Sequence, residues 1–468
     1  MSKLGYNCAP NRRTPSQRFR CHPEISVAVS VLLCLAIFAI GLMRRSTTSA
    51  ASITWVPANG EPATLVLGQT NFTSKNGATT QSGIREPFGI AVDPVTNKVF
   101  VADSFNNRVL RFASLATLQN GSAAETVLGQ ADFTSHIAAV TQSGMYNPFD
   151  LAIDIHGTLW VADTGNNRIL RFDAAASKAN GANADGVLGQ TDFTSNTWAI
   201  TQSRMFWPVG VTVDTQGTLW VVDTDNIRIL RFDTAAGKAN GANADGVLGQ
   251  ANFTSNTNAT SQSGMYYPYK AAIDTHGTLW VADYGNHRVL RFDAAASKAN
   301  GANADGVLGQ SNFTSRLTAV TQSGMFGPSG LAVDSNGTLW VADGNNSRIL
   351  RFAAAAGKSN GANADGVLGQ PDFTSHSETT SQTGMDIPEG LAVDANGTLW
   401  VADDLNSRVL HFGPVSVPTT PTETATATAT ATNTPTETAT ATATATSTMT
   451  ATPPKPKYRT YVPLVVEQ

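Results

Sequence analysis

Short runs of alternating apolar and polar residues, each broken by Gly, Asn or Asp, recur along most of the chain. Val-Ala-Asp, once Val-Val-Asp, returns at Val101, Val161, Val221, Val281, Val341 and Val401, always 60 residues apart. Each copy soon reaches Arg-Phe or His-Phe, ending at Phe112, Phe172, Phe232, Phe292, Phe352 and Phe412. A fixed period of this kind marks one supersecondary unit repeated in an array. In the second unit, residues 151–154, 158–163, 168–172 and 186–190 read as strands, because β-branched and polar residues alternate between turn formers. His156-Gly157 and Gln216-Gly217 fall at the first hairpin turn, where Gly supplies a positive φ. Each unit therefore predicts a four-stranded antiparallel meander.

The ends of the pattern set the number of sheets. Val-Leu-Gly-Gln, the fourth-strand motif, occurs six times, and its first copy at 66–69 precedes any complete unit. The last unit stops after its third strand, at Phe412. The leading strand is expected to complete the final sheet and close a ring, which leaves no large unpaired edge. The predicted fold class is all-β, a six-bladed β-propeller.

Over residues 330–352 the chain reads Gly-Leu-Ala-Val-Asp-x-x-Gly-x-Leu-Trp-Val-Ala-Asp-x-x-Asn-x-Arg-Ile-Leu-Arg-Phe, and variants recur six times between Gly89 and Phe412. This pattern resembles the NHL repeat, and the resemblance implies four-stranded blades around an axis. The units are long for that repeat, with the extra residues after each Val-Leu-Gly-Gln, as in 192–206. The namesake His appears only as His287. Asn107, Asn167, Ile227, Ser347 and Ser407 stand at that place elsewhere.

Composition narrows the setting. Charged residues make up 14% of the chain and the net charge is −4. The basic residues Lys3, Arg12, Arg13, Arg18, Arg20, Arg44 and Arg45 cluster in the first 45 positions against Glu24 alone, so the remainder is acidic. An acidic domain without basic stripes argues against nucleic acid as a partner. Cys8, Cys21 and Cys34 are the three cysteines, all near the start, so no disulfide supports the repeats. Residues 25–43 carry no charge and could span a bilayer core of about 30 Å as a transmembrane helix. More basic residues precede this stretch than follow it, which places the leader inside and the repeats outside the cell. A retained signal anchor is favoured over a cleaved signal peptide; either way the repeats are exported.

The expected organisation is a basic cytoplasmic leader (1–24), the membrane segment (25–43), a linker (44–60), the propeller (61–414), a disordered Thr/Ala/Pro stalk (415–457) and a short apolar tail (458–468). The stalk lacks the large apolar residues a core requires.

Two sets of six aspartates invite a metal reading. Asp93, Asp154, Asp214, Asp274, Asp334 and Asp394 end the first strands, and Asp103, Asp163, Asp223, Asp283, Asp343 and Asp403 end the second. Because every unit has them, a structural use is expected: turn fixing, and pairing with Arg108, Arg168, Arg228, Arg288, Arg348 and Arg408. Trp160, Trp220, Trp280, Trp340 and Trp400, with Phe100, are expected to pack between sheets. The histidines His136, His156, His276, His287, His376 and His411 show no metal-ligand spacing, and no cofactor is expected.

Gly-Ala-Asn-Ala-Asp-Gly-Val-Leu-Gly-Gln is repeated verbatim from Gly181, Gly241, Gly301 and Gly361, so differences between units carry more information than identities. They concentrate around the Pro before each first strand. The candidate ligand-binding residues are Tyr146, Phe149, Asp150, Phe206, Trp207, Tyr266, Tyr267, Tyr269 and Lys270, aromatic anchors with nearby charges. The expected function is a monomeric binding or scaffold module for an extracellular peptide, protein or glycan. The alternative is a metal-dependent hydrolase or lyase, because gluconolactonase-like enzymes and amidating lyases are related six-bladed propellers.

Overall fold

Six antiparallel sheets of four strands each form in a computed structural model that describes residues 55–414. The expected leader, membrane segment, stalk and tail lie outside the described residues, as does most of the expected linker. The second blade shows the common pattern: Pro148–Ile153, Leu159–Asp163, Arg168–Phe172 and Gly186–Leu188, each strand pairing with the next. Each first strand also packs against the first strands of both neighbouring blades, so these six strands encircle the axis.

Two strand limits differ from the sequence expectation by more than one residue. The first strand begins at Pro148 rather than at residue 151, because Pro148 pairs with Asp163 across a register shift. A bulge tolerates a residue that has no N–H to donate. The fourth strand stops at Leu188, because Gly189 adopts a φ of 85° and turns the chain away.

Ring closure follows the expected route. Leu65–Leu67 pairs with Arg408–Phe412, so the sixth blade draws its outer strand from the other end of the described chain. A second clasp was not legible in the sequence. The Gly60 N–H donates to the Val367 carbonyl, and the Val367 N–H donates to Asn59 Oδ1, covering the outer edge of blade five. Asn240 and Gly241 cover Val187 of blade two in the same way. Covered edges of this kind cannot template pairing with another chain.

The core lies between blades. Trp160 packs with Met205, Val211, Leu219 and Val221 of the next blade, and Trp220, Trp280, Trp340 and Trp400 are buried as well. Met145, Met205, Met265, Met325 and Met385, with Ile84 in the first unit, are buried at the same seams. Burying one such side chain contributes roughly 1.5–3 kcal/mol.

Candidate functional site

The residue after the Pro that opens each first strand faces the axis. Phe88, Phe149, Val209 and Tyr269 form one apolar cluster there, with the Phe88 and Phe149 rings edge-to-face at 4.3 Å. Ser329 and Glu389 hold the same register in the remaining two blades, and all six residues are buried. One position further on, backbones of neighbouring blades nearly touch. A Cβ at Gly330 would come within 2.0 Å of the Glu389 carbonyl oxygen, which is why the position needs glycine.

Two blades break that rule with charged residues. Lys270 reaches across the axis to Asp150 Oδ1 at 3.1 Å and donates to the Phe88 and Phe149 carbonyls. Asp150 Oδ2 accepts the Val211 N–H at 3.0 Å. The pair thus ties blades one to four together beneath the aromatic cluster. Desolvation pushes the Glu389 carboxyl up to about 8 against the pull of Lys270 and a hydrogen bond with Ser329, so it is largely protonated at neutral pH. The axis at this level is filled by side chains rather than open.

Above this floor lie the loops before each Pro, and their backbone is strained. Asn147, Trp207, Tyr267, Glu86 and Ile387 all have φ near 50°. Each such residue costs on the order of 1–3 kcal/mol, which surrounding contacts must offset. The NHL namesake position does this from the preceding blade. Asn107 Oδ1 accepts the Asn147 N–H at 2.9 Å, Asn167 Oδ1 accepts the Trp207 N–H at 2.8 Å, and His287 Nδ1 accepts the Gly327 N–H at 3.2 Å. Ile227 cannot accept, and in that blade Asp225 bonds the Tyr267 side chain instead. Burial raises Asp225 to about 6, and burial together with that carboxylate raises the Tyr267 hydroxyl.

The expected ligand-binding residues divide into two layers. Phe149, Asp150, Tyr269 and Lys270 form the buried floor. Tyr146, Phe206, Trp207, Tyr266 and Tyr267 lie above it on blades two to four, with Tyr146 41% and Tyr266 36% exposed. Trp207 stands 6.2 Å from Phe149 and links the layers. Sequence reasoning passed over Trp198, which is 56% exposed and stacks on Phe206 at 4.6 Å. Its signal was available, since Ala138, Asn258, Thr318 and Glu378 occupy the equivalent place.

The repeated Asp and Arg residues are fully buried struts. Arg168 Nε donates to Asp163 Oδ2 at 2.7 Å, and its other nitrogens donate to the carbonyls of Phe193, Thr141 and Gly144. Asp163 Oδ1 accepts the Tyr146 N–H at 2.7 Å, so this strut also positions the aromatic loop. The same arrangement holds in all six blades. The first-strand aspartates brace hairpins: Asp154 Oδ1 accepts the N–H groups of His156 and Thr158. Among the described residues, no three or more His, Cys, Asp or Glu stand close enough together to hold a metal ion.

A probable peptidyl-alpha-hydroxyglycine alpha-amidating lyase of Caenorhabditis elegans is 31% identical over 154 residues, 32% of this chain and 38% of that protein. Human teneurin-1 is 22% identical over 400 residues, covering 76% of this chain and 14% of teneurin-1. The matches thus take in well under half the length of either curated relative. A solved streptogramin B lyase superposes with a TM-score of 0.41 at 13% identity, over 73% of this chain and 95% of that one. The family model of the NHL repeat matches residues 265–292, 327–352 and 385–412, each running from the buried Met or the Pro loop to the end of the third strand. With a four-stranded sheet of the same kind in every blade of the closed ring, the chain carries NHL repeats in a six-bladed β-propeller.

Proposed function

We propose that the propeller is a binding module for an extracellular peptide, protein or glycan, held at the membrane by residues 25–43. The observation that carries this reading is the accessible aromatic surface of Tyr146, Trp198, Phe206, Tyr266 and Tyr267 on strained, hydrogen-bonded loops above a filled axis. Rings held in place bury area at small entropic cost, which is how aromatic residues come to dominate binding hot spots. The acidic ectodomain and the basic leader support presentation outside the cell.

The test is a screen of glycan and peptide arrays with the purified chain, followed by titration of the hits. Alanine at Tyr146, Trp198 or Tyr266 is expected to weaken binding about tenfold or more each, with an unchanged melting temperature. Hits that bind the triple variant as tightly as the unmodified chain would move the site elsewhere.

A second reading, a lyase acting on peptidyl-alpha-hydroxyglycine, draws on the local identity to the nematode relative. Its metal-dependent form needs a gathered donor set. The described histidines do not supply one: His287 caps a loop, and His411 is enclosed by Thr64 and Thr398. Turnover of that substrate by the purified chain would favour this reading over the first.

A further inference from the structure

Four seams between neighbouring blades share a contact that is missing from the seam between blades six and one. In blades two to five a Trp on the second strand stands opposite an Arg on the third, as Trp220 does opposite Arg231. Arg171, Arg231 and Arg291 then cross to the next blade, donating to the carbonyls of Ala236, Ala296 and Ala356. Arg111 likewise reaches the Ala175 and Lys178 carbonyls at 3.1 and 3.0 Å.

Blade six has His411 opposite Trp400. Its ring turns inward, with Nδ1 at 2.8 Å from Thr64 Oγ1 and Nε2 at 2.8 Å from Thr398 Oγ1. Burial holds this imidazole well below its usual range, at about 4, so it brings no charge to the seam at neutral pH. On the far side, Leu115–Thr117 is the turn that corresponds to the carbonyl-bearing turns of blades two to five, and Ala116 matches Ala236 in the repeat.

A cavity of about 210 Å³ lies at this seam, lined among others by Trp400, Val99, Leu115, Ala116, Asp394 and Asn396. One water needs only about 10–15 Å³. No Lys, Arg or His is part of the lining, whereas Asp394 contributes a carboxylate. Val92 and Leu115 are half-buried in this lining and offer an apolar wall for an alkyl stem.

We propose that this cavity binds a guanidinium group, presented by an arginine side chain or by a free alkylguanidine, which takes the place of the arginine absent from blade six. The planar fork suits a carbonyl on one side and a carboxylate on the other better than an ammonium does. The site is on the seam between blades six and one and does not depend on the aromatic face.

The test titrates the purified full-length chain by calorimetry with agmatine, with a short peptide containing one Arg, and with the same peptide carrying Lys. Saturable binding of agmatine or the Arg peptide is expected, and the tighter of the two identifies the source. The Lys peptide should bind at least about tenfold more weakly. His411→Arg supplies the guanidinium internally, so agmatine binding should fall at least about tenfold while the melting temperature holds or rises. Asn396→Trp caps the mouth from an exposed turn and should give the same loss if His411→Arg fails to fold. No saturable binding at millimolar agmatine, or equal affinity in a folded variant, overturns the proposal.

Discussion

Acid should loosen the ring where the two ends of the described chain meet. His411 is fully buried on the strand that receives Leu65–Leu67, and its ring lies between two threonine hydroxyls. Thr398 Oγ1 lies 2.6 Å from Asp394 Oδ2 and donates to it, so its lone pair accepts from His411 Nε2–H, while Nδ1 stands 2.8 Å from Thr64 Oγ1, whose hydroxyl also faces the Gly413 and His411 carbonyls. Burial lowers the folded value to about 4, with Asp394 pulling the other way, against about 6.5 for an unfolded His. The unfolded chain therefore takes up the proton first as pH falls. The contribution is complete above about pH 6.5 and is lost progressively toward about pH 4, amounting to roughly 3 kcal/mol at 1.36 kcal/mol per unit. The assay is urea denaturation across this range for the unmodified chain and for His411→Gln. Other titrating groups are common to both proteins, so the difference between the two curves isolates the imidazole. Stability should fall more steeply with acid in the unmodified chain. Parallel curves would refute the argument.

The Arg168→Ala variant leaves Asp163 buried without its cation and should lose about 3–5 kcal/mol by chemical denaturation. The Asp163→Asn/Arg168→Met double variant should lose less than the two single losses added together, and a single-variant loss below about 1 kcal/mol would contradict the strut role. Deleting residues 1–69 uncovers the Arg408–Phe412 edge and the Val367 edge together, so a lower melting temperature and self-association by light scattering are expected. Deleting residues 415–468 should leave melting unchanged, and equal melting of the two truncations would show that the clasp does not hold the ring.

The ring and its closure were legible because a repeat can be counted. A spare fourth-strand motif at one end and a missing one at the other leave a single way to complete six sheets. The structural use of Asp163 and Arg168 was legible for the same reason, since residues present in every unit describe the unit. Trp198 could have been found as a break in the repeat. The start of the first strand at Pro148 could not, because Pro argues against a strand unless a bulge is already known.

Alternating pattern and turn chemistry, which act over a few residues, determined the strands, their order, the number of blades and the residue types at each seam. Tertiary structure alone decided which variable residues meet. Lys270 and Asp150 lie 120 residues apart and pair only because the ring brings blades two and four to a common axis. Phe149 and Tyr269 look like Tyr146 and Tyr266 in sequence, yet the first two are buried in the floor and the others exposed on the rim. The reason is strand direction at the channel: one residue after the Pro points inward, two residues before it the chain is still on the outer loop, and no local pattern records that distinction.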